Sequence, residues 1–226
     1  ALRRLLADPD DTEQAFRVIR SLDGHALERI LARMKADTEG RVLLAERPSL
    51  LAALQDRDAL AAMPDGSLGR AYLAFCEREG IEPGELVDTR TSTDDRFDAD
   101  EELRFVAHRM RDSHDLWHVV TGHHTDLVGE LSILAFTAAQ APNAGISLLV
   151  TAGYLRTFQF WGGVGATRRR MVREAYARGR RARWLPSVPW ETWLARPLED
   201  VRVDLELGGV PVYRPVYSRD LEALAA

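Results

Sequence analysis

A long uncharged stretch is the strongest constraint on how this chain folds. No Asp, Glu, Lys or Arg occurs in the 25 positions from Leu131 to Leu155. A transmembrane helix needs about 20 continuous apolar residues, and the sequence Ala141-Pro142-Asn143-Ala144-Gly145 divides this stretch near its middle. We therefore expect two short helices rather than one membrane span.

Most of the chain has the spacing of amphipathic helices, with apolar residues at i, i+3 and i+4. The predicted helices are 12–19, 27–31, 49–55, 67–80, about 101–121, about 126–140 and one that starts at Pro197 and stops at Gly208. Residues 201–207 also alternate like a strand, although a helix is favoured, and 85–100 are predicted to form a loop. The predicted fold class is mainly α, a single-domain helical bundle over 1–226.

Composition places the chain among folded proteins and excludes several classes. Its 226 residues are 46% hydrophobic and 29% charged, the balance of a globular protein rather than a disordered one. One cysteine, Cys76, cannot form an intrachain disulfide, and the first residues lack the apolar run of a secretory signal. Both features fit a reducing compartment. The net charge of −5 argues against a nucleic-acid partner.

The segment 101–140 contains a candidate metal site. His114 and His118 are four residues apart, so on a helix they lie on one face and can reach the same ion. Asp115 lies at the edge of that face. Arg111 precedes His114 by three residues and could neutralise a carboxylate or phosphate there.

Glu130 can join this site only if the helix breaks. On one continuous helix it would lie about 18 Å further along the axis than His118. Gly122 and the polar residues after it supply a break, so that a second helix folds back and presents Glu130. Two histidines and two carboxylates are then a donor set for zinc, iron(II), manganese or a similar divalent ion.

Other interpretations of the histidines remain open from spacing alone. His and Asp also cap helices and satisfy polar groups in a core. A dinuclear carboxylate bundle is disfavoured because it needs paired Glu-x-x-His motifs. A His-Asp phosphohydrolase needs an additional distant His, for which His25 is a candidate.

The residues from His114 to His118, followed by eleven residues and Glu130, resemble the HDxxHx₁₁E motif of the Coq-four (Coq4) family of ubiquinone biosynthesis. The resemblance is strongest over 40–205. Further similar segments are Pro64-Asp65-Gly66-Ser67-Leu68-Gly69-Arg70-Ala71-Tyr72, Arg109-Met110-Arg111, Gly129-Glu130-Leu131 and Pro189-Trp190-Glu191.

The resemblance implies a mostly helical fold and one divalent metal ion, most often zinc, with iron, manganese and magnesium left open. The implied ligands are His114, Asp115, His118 and Glu130. It also implies a role at C1 of a prenylated 4-hydroxybenzoate-derived ring, where a carboxylate is lost and a hydroxyl gained. In this chemistry Arg111 would bind the carboxylate, and Asp115, Glu130 or one of the loop histidines would accept the phenolic proton. The neighbouring pair His123 and His124 has no assigned role.

A prenylated substrate offers a function for the uncharged stretch, which otherwise forms an ordinary core. An apolar tunnel or groove beside the metal would hold the isoprenoid tail. The candidate lining residues are Leu134, Phe136, Leu148, Tyr154 and Phe158.

An Arg-rich segment suggests a membrane surface as a partner. Residues 156–183 contain nine Arg and one Glu, which suits either a solvated helix or contact with anionic headgroups, with Trp184 and Trp190 at the interface. We therefore expect a peripheral protein of the bacterial inner membrane, reached from the cytoplasm, or of the mitochondrial matrix side in a eukaryote. Other quinone-biosynthesis enzymes and a second copy of the chain are further expected partners.

Two functional hypotheses follow. The first is a metal-dependent oxidative decarboxylase acting at C1. The second is a non-catalytic scaffold that binds the prenyl lipid and organises other quinone-biosynthesis enzymes around a structural metal.

Overall fold

The computed structural model describes residues 25–81, 100–159 and 163–215, together with 14, 18, 19, 21, 22 and 217. These residues form α-helices joined by turns, with no β-strand among them and one isolated bridge between Ser67 and Pro197. The predicted mainly α fold is confirmed. The helices are α1 (Ala26–Ala36), α2 (Thr38–Glu46), α3 (Leu50–Gln55), α4 (Arg57–Ala62), α5 (Leu68–Glu79), α6 (Glu101–Asp112), α7 (His114–Thr121), α8 (Leu127–Gln140), α9 (Ala144–Arg156), α10 (Gly163–Arg181), α11 (Trp190–Trp193) and α12 (Leu198–Asp204).

Most predicted helices are present at the expected places. Those predicted at 27–31, 49–55, 67–80 and 126–140 correspond to α1, α3, α5 and α8, and the last predicted element is the helix α12 rather than a strand. The helix predicted at 12–19 lies largely outside the described residues. The loop predicted at 85–100 also does, apart from Asp100.

The prediction of one continuous helix from 101 to 121 is wrong, because the helix is interrupted at Ser113. This residue separates α6 from α7, and its hydroxyl donates to the carbonyl of Met110 at 3.4 Å. Such a bond from a serine side chain competes with regular helical bonding. Trp117 N donates to Ser113 O at 3.1 Å, so Ser113 also begins the new helix. His114 is therefore the first residue of a short helix.

The chain forms two compact units. One comprises the described residues of Leu27–Thr121 and Arg183–Glu206, and the other comprises the described residues of Gly122–Ala182 with those before Leu27 and after Glu206. The single domain predicted for 1–226 stays a prediction.

In the first unit, glycines shape the start of α5. Gly66 has φ +76, a left-handed conformation that glycine adopts without strain, and Ser67 then caps the helix. Gly69 N donates to Leu194 O at 2.7 Å. A Cβ at Gly69 would collide with Met63 Sδ and lie 3.2 Å from that same carbonyl oxygen. The Gly-Ser-Leu-Gly sequence thus allows α5 to approach the segment that follows α11.

A largely buried ion pair joins α6 to α11 in the same unit. The two terminal nitrogens of Arg109 lie 2.9 and 3.1 Å from the two carboxylate oxygens of Glu191. One of them also donates to Val188 O at 2.6 Å. The side chain of Arg109 is only 2% exposed, so this bidentate pair fixes the last turn of α6.

In the second unit, α8 packs against α9 and α10. Gln140 Nε2 donates to Gly179 O at 2.6 Å, and a Cβ at Gly179 would lie 2.7 Å from Phe136 O, so α8 and α10 approach closely. The uncharged stretch forms α8, with a fully buried Phe136, and the more exposed α9. None of the helices in the described part of the chain has both the length and the apolarity that crossing a membrane requires.

Candidate metal centre

Helix α7 presents two imidazoles on one face, as the spacing predicts. The rings of His114 and His118 are 4.9 Å apart between centroids and meet edge to face at 66°. His118 is 1% exposed, and the ring of Phe75 in α5 stacks on it at 5.7 Å. Sequence reasoning missed Phe75, because an aromatic residue in an amphipathic helix carries no signal of its neighbour.

His114, His118 and Glu130 form a candidate metal-binding cluster. Each contributes one ligand atom, and these atoms all lie within 4.8 Å of one another. Two donors bound to one ion at about 2.1 Å can be at most about 4.2 Å apart, so small side-chain movements suffice. Two imidazole nitrogens and a carboxylate oxygen suit zinc and other divalent transition metals. The residues therefore fit a divalent ion.

Asp115 is beside the cluster and is not one of its three members. Its Oδ1 lies 3.2 Å from His114 Nδ1. A proton on Nδ1 makes this a hydrogen bond and leaves Nε2 of His114 as the nitrogen able to bind a metal. Asp115 as a fourth ligand stays a prediction.

The end of α7 is held by Arg202 of α12. Arg202 Nε donates to Val120 O and a terminal nitrogen donates to Val119 O, both at 3.0 Å. The other terminal nitrogen lies 2.5 Å from Glu199. A cation at the C-terminal carbonyls of a helix is favourable because of the helix dipole. No sequence signal links these residues, which are about 80 positions apart.

The predicted break between the two helices is confirmed at Gly122, which has φ +76. Asp126 then caps α8, because its side chain accepts a hydrogen bond from Gly129 N at 3.3 Å. Tyr213 donates to the same carboxylate at 2.7 Å. Burial and this hydrogen bond raise the pKa of Tyr213 well above its ordinary value.

The unassigned histidines differ in their surroundings. His123 is 3% exposed. The ring of His124 meets the ring of Tyr213 edge to face at 5.5 Å, and its backbone nitrogen donates to the Tyr213 hydroxyl at 3.0 Å. Sequence reasoning missed Tyr213.

The structure places the other predicted site residues as follows. Arg111 Nε donates to Asp112 Oδ1 at 2.8 Å, and its role in binding a substrate carboxylate stays a prediction. The predicted lipid-lining residues lie in the second unit and are not equally accessible. Phe136 is fully buried and Phe158 is 59% exposed, while Leu134, Leu148 and Tyr154 are half-buried.

Comparison with known proteins decides the family. The family model described as "Coenzyme Q (ubiquinone) biosynthesis protein Coq4" matches residues 5–211. The chain belongs to the Coq4 family. The resemblance expected from the HDxxHx₁₁E spacing is thereby confirmed.

Coq4 relatives cover most of the chain. Ubiquinone biosynthesis protein COQ4 homolog, mitochondrial, of Danio rerio is 31% identical over 201 residues, covering 86% of this chain and 69% of that protein. The Mus musculus homologue is 33% identical, covering 83% and 67%. The Homo sapiens homologue is 29% identical, covering 87% and 71%.

A crystal structure of a Nostoc punctiforme protein assigned to ubiquinone biosynthesis has the same fold. It matches with a TM-score of 0.67 at 20% identity and covers 92% of this chain and 95% of that one. At this identity the likeness shows the Coq4 fold alone.

Proposed function

We propose that this Coq4 protein carries out metal-dependent oxidative decarboxylation at C1 of a prenylated 4-hydroxybenzoate-derived intermediate in ubiquinone biosynthesis. The observation that carries the proposal is the cluster of His114, His118 and Glu130, whose ligand atoms lie within 4.8 Å of one another. Family membership supports the pathway, and the donor chemistry supports the metal.

The reaction exchanges a carboxylate for a hydroxyl at one ring carbon. The C–C bond to the carboxyl group breaks, CO₂ leaves, and a C–O bond forms at the same carbon. This is a two-electron oxidation, R–COOH + H₂O + O₂ → R–OH + CO₂ + H₂O₂, in which water supplies the hydroxyl oxygen and O₂ accepts the two electrons and leaves as hydrogen peroxide. A bound divalent ion would supply a positive charge that polarises substrate oxygen atoms.

The protein's own side chains have three tasks in this proposal. His114, His118 and Glu130 hold the ion. Asp115, 3.2 Å from Nδ1 of His114, orients that imidazole and can accept the phenolic proton. Arg111, whose Nε donates to Asp112 Oδ1 at 2.8 Å, is the proposed partner of the substrate carboxylate.

The isoprenoid tail is proposed to bind along α8 and α9. Tyr154 and Phe158 are stacked edge to face at 5.8 Å and offer an apolar surface at the end of α9. The tail would run from there along Leu134 and Leu148, while the buried Phe136 supports the wall from within the core.

A membrane surface is proposed as the source of this lipid. Leu155 and Phe158 are 60% and 59% exposed, and the Arg169 guanidinium lies 4.3 Å from the centre of the Phe158 ring. Exposed apolar side chains beside a cation suit the boundary between acyl chains and anionic headgroups. Other enzymes of the pathway and a second copy of this chain are proposed as protein partners.

The test is turnover of a prenylated 4-hydroxybenzoate-type acid that carries ¹³C in its carboxyl group. Metal-loaded wild-type protein in air should release ¹³CO₂ and form the hydroxylated ring, detected by mass spectrometry. His118→Ala should abolish both products, while His108→Ala, which lies outside the cluster, should retain them. Lipid that binds wild type without releasing ¹³CO₂ would refute the decarboxylase and favour the scaffold.

A further inference from the structure

The turn that precedes α8 is bound by a tyrosine 87 positions away. Tyr213 Oη donates to Asp126 Oδ1 at 2.7 Å and accepts a hydrogen bond from the backbone nitrogen of His124 at 3.0 Å. Its ring also meets the His124 ring at 5.5 Å. One hydroxyl thus joins the residue that caps α8 to the chain leading into it.

Gly129 makes this approach possible. A Cβ at Gly129 would overlap the His124 carbonyl oxygen and lie 2.7 Å from the Tyr213 hydroxyl and 2.8 Å from Asp126 Oδ1. Real Cβ atoms essentially never come within 3.0 Å of such atoms. The first turn of α8 is therefore packed directly against the tyrosine hydroxyl, without space for a side chain between them.

Glu130 is the next residue, and its backbone is fixed by the same cap. Glu130 N donates to Asp126 O at 2.8 Å, and Gly129 N donates to Asp126 Oδ1 at 3.3 Å. Asp126 Oδ1, which accepts the hydrogen bond from the Tyr213 hydroxyl, also accepts the bond from Gly129 N that caps the first turn of α8. A displacement of Asp126 would move the start of the helix that carries Glu130.

We propose that Tyr213 is a positioning residue for Glu130, acting through Asp126 and the turn before α8. This inference rests on the proposed metal site and deepens it, because it names a residue that sets the third ligand without touching the ion. The effect is expected because partners behind metal ligands fix ligand geometry. Tyr213 stays a neutral donor at physiological pH, because burial and the bond to Asp126 raise its pKa.

The test uses Tyr213→Phe, which removes one hydroxyl and keeps the ring. Tyr176→Phe, at a tyrosine 44% exposed in α10, is the matched control. In metal-free protein, hydrogen exchange of the peptide covering 122–131 should be faster in Tyr213→Phe than in wild type and unchanged in Tyr176→Phe. Exchange equal to wild type would show that the hydroxyl does not hold the turn, and would overturn the proposal.

Cobalt affinity supplies the second measurement, with Co²⁺ competed against a chelator and followed by its visible absorption. Tyr213→Phe should weaken binding about 10- to 100-fold, the usual effect of losing a partner behind a ligand. In a Glu130→Ala background the same change should alter affinity by less than about two-fold, because the group it positions is gone. An equal loss in both backgrounds would mean that Tyr213 acts on stability in general, and would overturn the proposal.

His118→Ala separates this inference from the proposed function. If His118→Ala loses cobalt binding and Tyr213→Phe does not, the metal site stands and the positioning role is refuted. If cobalt binding survives His118→Ala, the metal site itself is refuted, and the positioning role with it.

Discussion

Removing Glu191 should destabilise the protein far more than removing an exposed glutamate. Glu191 neutralises Arg109, whose side chain is 2% exposed and donates to both carboxylate oxygens at 2.9 and 3.1 Å. In Glu191→Ala the guanidinium keeps Val188 O as an acceptor but loses its countercharge. Breaking one side of a buried pair costs about 3–5 kcal/mol, because the remaining charge is uncompensated.

The control and the double variant identify the cause. Glu77→Ala removes a carboxylate that is 60% exposed and lies 3.1 Å from a partly exposed Arg57, so it should cost less than about 1 kcal/mol. Arg109→Met together with Glu191→Ala removes both charges and should recover much of the loss.

The assay is equilibrium unfolding in guanidinium chloride, with the free energy of unfolding compared at constant m-value. In a thermal scan the loss should lower Tm by roughly 6–20 °C for a chain of this size. A change for Glu191→Ala no larger than that for Glu77→Ala would refute the reasoning. A double variant less stable than Glu191→Ala would refute it as well.

Three further predictions concern packing and ionisation. Gly179→Ala should lower stability by about 1–3 kcal/mol in chemical unfolding, because its Cβ would lie 2.7 Å from the backbone carbonyl oxygen of Phe136; a stability equal to wild type would contradict this. Burial raises the pKa of Tyr72, as it does that of Tyr213. A pH titration of the folded protein followed by absorbance at 295 nm should therefore show tyrosines that ionise at higher pH than free tyrosine does. Tyr72→Phe and Tyr213→Phe should each remove one of these high-pH ionisation steps. The free energy of unfolding that each buried neutral phenol contributes should be present below about pH 10 and decline above it. Cys76 is 1% exposed and should react with a thiol reagent only after unfolding, so rapid reaction of native protein would contradict its placement.

The fold class and the two histidines could be predicted because they depend on local sequence. Helical spacing sets which residues share a face, so His114 and His118 follow from their separation of four. The Gly122 break and the Asp126 cap also follow from local preferences of glycine and aspartate. Glu130 entered the predicted donor set through the expected break at Gly122, and the family resemblance implied the same set with Asp115.

The features that sequence reasoning predicted wrongly or missed depend on contacts between distant segments or on weak local signals. The break at Ser113 has a single serine as its local signal in an otherwise helical sequence. Arg202 on the carbonyls of α7, and Tyr213 on the cap of α8, join residues more than 80 positions apart. A single sequence contains no record of such pairs, because either partner alone looks like an ordinary surface residue.

The metal content of the purified protein tests the central claim most directly. Protein prepared without added metal would be measured by elemental mass spectrometry, together with His118→Ala and the control His108→Ala. Wild type and His108→Ala should each contain close to one divalent ion per chain, and folded His118→Ala should contain almost none. Folded wild type without metal, or equal metal in all three proteins, would contradict a site built on His114, His118 and Glu130.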